Sequence, residues 1–276
     1  MKKFPNKRVV ITGAGSGLGR ALALEFAKKG WNIMVADINM DWANESVKLI
    51  NEAGGKGLAV HCDVTKWEQV KSLADTVMAR WGGVDIIVNN AGVPVVGVME
   101  DVPLEDWRFI IDVNLMSAIY GCKAFIPLFK KQGYGHIVNT ASAAGFLSLA
   151  TMGPYNVTKA GVIGLSETLR MELVSHNIGV TVVCPTFFKT NFLDKLRCTD
   201  KKFIDRGNAF FKWSLGTSEG ISRHIMRSIK RNRMYVITQP DAKVGWFSKR
   251  HTPNLYLKIM GFFFGREVIY KILGVK

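Results

Sequence analysis

The chain has 276 residues, 48% of them hydrophobic, which suits one large domain and is too apolar for disorder. Cys62, Cys122, Cys184 and Cys198 stand without C-x-x-C spacing, and the five histidines show no H-x-x-x-H pattern. Composition therefore excludes a disulfide framework and a metal site, and suits a reducing compartment. The net charge of +15 is uneven: residues 1–185 carry 18 Lys+Arg against 16 Asp+Glu, and 186–276 carry 19 against 6. A basic C-terminal third calls for an anionic partner: a membrane surface, an acidic substrate or nucleic acid.

The N-terminus opens Met1-Lys2-Lys3, and the apolar run Val9-Val10-Ile11 stops at Thr12-Gly13. That run is too short for the core of a signal peptide. No window reaches the ~18 uncharged apolar residues of a spanning helix, so a cytoplasmic protein is expected. Short β-branched runs at 8–13, 32–37, 57–63, 85–90, 136–142 and 179–185 predict buried parallel strands. Helical spacing lies between them, as at Leu18, Leu22 and Phe26, or Val70, Leu73 and Val77. The alternation predicts an α/β, doubly wound Rossmann fold with helices on both faces of a mostly parallel sheet. No linker, repeat or low-complexity tract breaks it, so 1–276 reads as a single domain.

After Pro185 the texture changes. Residues 186–216 carry seven aromatics, Phe187, Phe188, Phe192, Phe203, Phe210, Phe211 and Trp213. Thr217 and Ser218 cap a helix running to about Arg231, and 234–238 reads as a seventh strand. Residues 240–276 form a basic, aromatic extension.

The stretch VVITGAGSGLGRALALEF is a strand, a glycine-rich turn and a helix. Glycine permits positive φ and close approach to a ligand, and the helix N-terminus offers N–H groups to a diphosphate. Asp37 at the end of the second strand completes the context of a dinucleotide site. Its carboxylate can accept hydrogen bonds from both ribose hydroxyls and repels a 2′-phosphate. No Lys or Arg lies within 13–19, so NAD is expected rather than NADP. The plainer reading of Asp37 is a cap for the next helix.

GPYNVTKAG (153–161) sets Tyr155 and Lys159 four positions apart on one helical face, with Pro154 in the first turn. The plain reading is a solvated face. The chemical one is a phenol whose pKa of ~10 is lowered by a neighbouring cation.

The motifs TGAGSGLG (12–19), CDV (62–64), NNAG (89–92), DVNL (112–115), NTASAAG (139–145), YNVTK (155–159) and PTFFKT (185–190) occur in order. With that spacing, residues 6–240 resemble the short-chain dehydrogenase/reductase family. The resemblance implies catalytic roles for Asn114, Ser142, Tyr155 and Lys159. It implies cofactor contacts from Thr12, Gly13, Ser16, Gly17, Leu18, Gly19, Asp37, Asp63, Val64, Asn90, Tyr155, Lys159, Phe188 and Thr190. Asp63 would reach the adenine amino group, and Phe188 and Thr190 the nicotinamide carboxamide. Tyr155 would be the general acid/base, Ser142 would orient the substrate oxygen, and Asn114 would hold a water beside Lys159. Thr186 stands where the family carries glycine; threonine disfavours positive φ, so the turn into the lid is expected to differ.

The function implied is NAD-dependent interconversion of an alcohol and a ketone or aldehyde. The resemblance makes 186–216 the substrate lid, and its aromatics suit a small apolar alcohol or carbonyl substrate, unless those rings only pack the lid. An acyl-CoA-type reductase and a non-catalytic NAD-binding regulator are the alternatives. A dimer or tetramer is implied by the family. The extension 240–276 fits a peripheral site on an anionic membrane, or packing against the protein or a second subunit. No nucleic-acid motif is present.

Overall fold

The computed structural model describes residues 4–188, 196–200, 202–212, 214 and 216–272, with the backbone alone at 210–212 and 269. Seven strands form one parallel sheet: β1 (Arg8–Thr12), β2 (Asn32–Asp37), β3 (Lys56–His61), β4 (Ile86–Asn89), β6 (Gly135–Thr140), β7 (Ile178–Cys184) and β9 (Tyr235–Ile237). Their order is β3-β2-β1-β4-β6-β7-β9, and every pairing is parallel. The order reverses between β1 and β4, which opens a crevice beyond their C-terminal ends.

Both faces of the sheet are covered, which is why its strands are runs of Val, Ile and Ala rather than alternating patterns. On one face Val9, Ile11, Ile33 and Val35 meet α1 (Gly17–Ala27), α2 (Met40–Glu52) and α9 (Ser218–Lys230). On the other, Val10, Met34, Ile87 and Ile137 meet α3 (Trp67–Trp81), α5 (Ser117–Gln132) and α7 (Gly153–Glu172). The Thr217 hydroxyl accepts from the Gly220 N–H (3.1 Å) and caps α9 as expected. Left-handed Gly82 and Gly133 end α3 and α5.

Between β4 and α5 the chain forms β5 (Val95–Val96) and α4 (Leu104–Ile111). A π-helical turn, Asp112–Met116, then joins α4 to α5. The run Leu104–Gln132 is, by length and composition alone, long enough to cross a bilayer, against the expectation that no segment is. It instead behaves as a core helix: Phe125 and Phe129 are wholly buried with α3 and the sheet.

Over the C-terminal edge lie α6 (Ala144–Leu147), β8 (Arg197–Cys198) and α8 (Lys202–Lys212), and β8 pairs with β5. The extension forms three helices, α10 (Pro240–His251), α11 (Pro253–Gly265) and α12 (Val268–Ile272). Tyr256 of α11 donates its hydroxyl to the Leu147 carbonyl (3.0 Å), and Lys249 of α10 reaches the Ser148 hydroxyl (2.7 Å). The extension is thus fastened to the loop that leads into α7.

Candidate active site

The glycine turn is pressed between β2 and the loop after β4. Gly13 and Gly17 have φ of +63° and +55°, a region that favours glycine. A Cβ at Gly13 would lie 2.9 Å from the Ala91 backbone, and one at Gly15 would lie 2.8 Å from the Asp37 carboxylate. Asp37 accepts from the Gly15 N–H through Oδ2 (2.8 Å) and from the Asn39 N–H through Oδ1 (3.0 Å). Asn39, not Asp37, caps α2 through the Trp42 N–H (3.0 Å). Asn90 donates from Nδ2 to the carbonyls of Thr12 (3.0 Å) and Gly13 (3.2 Å), holding the turn from the other side.

A cavity of about 910 Å³ opens along this edge, near the upper end for small-molecule sites. Gly13, Ser16, Gly17, Leu18, Asp37, Asp63, Val64, Asn90, Ser142, Tyr155, Lys159 and Phe188 all line it. Among the described residues, three expected ones, Thr12, Gly19 and Asn114, do not. The Thr12 hydroxyl instead accepts from the backbone N–H groups of Asn90 (3.0 Å) and Ala91 (3.3 Å). Gly19 has no room for a Cβ, which would lie 2.6 Å from Asn90 Nδ2. Thr190 lies outside the described residues.

The residues present fit a dinucleotide. Positive-φ glycines lead into the N-terminus of α1, whose first turn holds no acidic residue and whose N-cap Ser16 makes no side-chain cap bond. That leaves donors for a diphosphate. Lys159 is the one cation among the described lining residues, and exposed Ile38 follows Asp37. Nothing there would hold a 2′-phosphate. Asp63 binds its own loop, accepting from the Thr65 N–H and hydroxyl (2.9 and 2.7 Å) through Oδ1.

Ser142, Tyr155, Lys159 and Asn114 are 9%, 7%, 3% and 2% exposed. The hydroxyls of Ser142 and Tyr155 are hydrogen-bonded to each other. Lys159 Nζ donates to the Thr140 carbonyl (3.0 Å) and lies 5.6 Å from the Tyr155 ring centre. Asn114 sits in the π-helical turn, a feature frequent at functional sites. It does not line the cavity; its amide accepts from the Val93 N–H (2.8 Å) and donates to the Val93 carbonyl (3.0 Å) and Thr158 hydroxyl (3.3 Å). Its side chain therefore clamps the loop over Lys159, where a Cβ at Gly92 would come within 3.3 Å of Nζ.

Burial dominates the titration of this cluster. It pushes Tyr155 up to about 12, opposed by the Ser142 hydrogen bond, and Lys159 down to about 8. The expected lowering of Tyr155 by Lys159 is not what decides its titration in the protein alone: burial raises it, and the opposing contribution comes from Ser142. Cys184, beside Lys159, is pushed to about 12 by the same burial.

The turn into the lid does not need glycine. Thr186 has no positive φ, and its N–H donates to Gln239 Oε1 (3.0 Å), the residue before α10. Of the seven lid aromatics, Phe187 and Phe188 line the main cavity and Phe203 a side chamber. Phe192 and Trp213, and the side chains of Phe210 and Phe211, lie outside the described residues. The remaining wall comes from residues not expected there: Phe109, Leu147, Leu149, Met152, and Met260 and Phe264 of α11. The four-residue spacing of Tyr256, Met260 and Phe264 carried that signal.

A parallel sheet with a glycine turn and an acidic strand end at its crevice defines a dinucleotide-dependent oxidoreductase. Residues 7–201 match the family model described as short chain dehydrogenase, and the chain belongs to that family. It is similar to the crystal structure of a short chain dehydrogenase/reductase from Burkholderia phymatum in complex with NAD. The identity is 30% and the TM-score 0.87, over 92% of this chain and 96% of that one. It is 37% identical to D-beta-hydroxybutyrate dehydrogenase of Rhizobium meliloti (strain 1021), covering 68% of this chain and 74% of the relative. It is 36% identical to cyclohexanol dehydrogenase of Acinetobacter sp. (strain SE19), covering 68% of this chain and 75% of the relative.

The Lys159 shift has a sign that can be checked. A lysine at about 8 when folded and 10.5 when unfolded withholds stability below pH 8 and returns it as pH rises through that window. The full change is about 3 kcal/mol. Urea unfolding of the wild type and of Lys159→Met should show the difference moving toward the wild type between pH 7 and 10. A difference flat in pH would show that Lys159 does not titrate there.

Proposed function

We propose that the protein is an NAD(H)-dependent alcohol dehydrogenase or carbonyl reductase for an apolar substrate, with Tyr155 as general acid/base. The observation that carries this is the hydrogen-bonded Ser142–Tyr155 hydroxyl pair on an apolar-walled cavity, with Lys159 as its one lining cation. NAD, when bound, supplies the hydride acceptor and a positive ring near the phenol. Tyr155 takes the proton of the substrate hydroxyl, or gives it back to a carbonyl oxygen. Ser142 donates to that same oxygen and sets its position. Lys159 holds positive charge beneath Tyr155 and carries donors for the cofactor ribose. Asn114 is a positioning residue: it fixes the 91–93 loop and, through Thr158, the helix that bears Tyr155 and Lys159. Asp37 receives the adenosine ribose.

The relatives named as hydroxybutyrate and cyclohexanol dehydrogenases support a secondary alcohol as the reacting group. Phe109, Leu149, Met152, Phe187 and Phe264 support an apolar substrate body. The four lining carboxylates, Asp37, Asp63, Asp112 and Asp241, argue against a coenzyme A thioester.

Tyr155→Phe should lose turnover by about 10²–10⁴-fold, the usual worth of a positioned acid/base. NADH affinity, followed by fluorescence, should stay within a few-fold. Turnover close to wild type would remove Tyr155 from the mechanism.

The outer side of the extension supports a lipid surface. Of fifteen exposed large hydrophobic side chains among the described residues, seven fall within 240–272, including Phe247, Leu255, Ile259 and Phe262. Leu255, Ile259 and Phe262 form one stripe of α11, rimmed by exposed Lys258 and Arg266. The opposite side of the same helix holds buried Tyr256 and the cavity-lining Met260 and Phe264. An apolar stripe with a basic rim suits an anionic membrane, and this one would bring the cavity wall to the lipid. Sedimentation with phosphatidylglycerol vesicles at low salt should carry the protein down, and Phe262→Asp or added salt should release it. Protein that stays wholly in the supernatant at low salt would refute the surface.

A further inference from the structure

Two arginines are buried among the described residues, and they differ in one respect. Arg8, at the start of β1, is saturated: Nε meets the Asp85 carboxylate (3.2 Å), and the two Nη groups meet the Trp81 carbonyl (2.8 Å) and Tyr134 hydroxyl (3.2 Å). Arg206 of α8 is 8% exposed, and its Nη2 donates to Glu267 Oε1 (2.6 Å). Its guanidinium lies 3.8 Å above the Tyr270 ring centre. Its Nε is buried with no hydrogen-bond partner. A guanidinium cannot shed its proton, so that donor stays unmet in the protein alone, at a cost to stability.

Arg206 borders a chamber of about 60 Å³, together with Thr151, Phe203, Gly207 and Tyr270. The chamber shares Leu149, Met152, Phe187 and Phe264 with the main cavity. These four apolar side chains separate the two spaces, so a substrate that reaches from Tyr155 to Arg206 must pass between them. The chamber is too small for a ring or long chain, yet it exceeds the space that one ordered water needs, so a single polar head group fits. Glu267, the present partner of Nη2, has a side chain 57% exposed. A pair with one member in water is weakly held, which makes that carboxylate replaceable.

We infer that Arg206 is the anchor for a carboxylate at the far end of the substrate, so that the preferred substrate is an apolar hydroxy or keto acid. Nε and Nη2 are adjacent donors, the fork a carboxylate accepts in bidentate form. The incoming carboxylate satisfies Nε and takes Nη2 from Glu267, which turns to water. The apolar body of the acid fills the shared passage and leaves its carbinol at Ser142 and Tyr155. This rests on the main cavity being the substrate site. The rival is that Arg206 only fastens α8 to the α11–α12 turn through Glu267.

Calorimetric titration of the protein saturated with NADH, using decanoate and 1-decanol as probes, separates the two. Wild type should bind decanoate more tightly. Arg206→Gln should weaken decanoate by about tenfold or more, as for a lost charged hydrogen bond, and leave decanol within about twofold. Glu267→Gln, which removes the competitor and retains Arg206, should tighten decanoate. Equal binding of the two probes to wild type would overturn the inference. So would equal weakening of both by Arg206→Gln, or weakening of decanoate by Glu267→Gln. The readout needs no turnover, so a failure of the Tyr155 chemistry would show separately.

Discussion

The Lys159 ammonium is buried at the C-terminal edge of a parallel sheet, and much of the surrounding chain is arranged to keep it there. Taking a cation out of water costs several kcal/mol even after relaxation. One carbonyl, Thr140, meets it directly. The loop carrying Gly92 closes over it because Asn114 clamps Val93 on both backbone groups. The π-helical turn puts Asn114 within reach of both Val93 and Thr158. Thr158 and Lys159 share one turn of α7, so the clamp and the charge are fixed by the same helix. Loss of any of these contacts would give Lys159 a path to water and remove the charge from beneath Tyr155.

That burial has a second effect. In the protein alone both ionisable partners are biased toward neutrality: Tyr155 sits near 12 and Lys159 near 8. At neutral pH the phenol is neutral while the lysine still carries most of its charge. A further positive charge close to the phenol is worth much more in this apolar setting than in water. Binding of the oxidised cofactor and activation of the phenol are then one electrostatic event. On the proposed mechanism the phenol becomes active only when the nucleotide site is filled, with Asp37 and the N-terminus of α1 as the nucleotide's proposed holders.

Much of this was legible in the sequence, for identifiable reasons. The first six strands of the main sheet read correctly because burial between helices favours unbroken apolar runs, most strongly in the five inner ones, and their ends differ from expectation by a residue or two. The glycine turn read correctly because positive φ and backbone contact leave only glycine. Other features left no such trace. A π-helical turn has no residue signature, so the clamp that Asn114 makes on Val93 and Thr158 could not be read from its motif. The Thr186 turn was expected to differ from a glycine turn, but its partner Gln239, fifty-three residues on, could not be read. In α11 the inward spacing of Tyr256, Met260 and Phe264 was hidden inside an almost wholly apolar run. Titration was least legible, since the spacing of Tyr155 and Lys159 fixes their proximity and says nothing of how deeply both are buried.

The extension joins these threads. One side of α11 walls the cavity, while the turn between α11 and α12 supplies the carboxylate that occupies Arg206. Under the proposed function, substrate selection falls to the part of the chain beyond residues 7–201 that the family model matches. The central claim is that cofactor charge, added to a buried tyrosine and lysine, makes the acid/base. Its most direct test is the pH titration of phenolate absorbance, taken as wild type minus Tyr155→Phe, without and with saturating NAD. The account predicts no midpoint below pH ~10, the ordinary phenol value, without cofactor, and a midpoint lower by several units with it. A midpoint that NAD leaves unmoved would contradict the account.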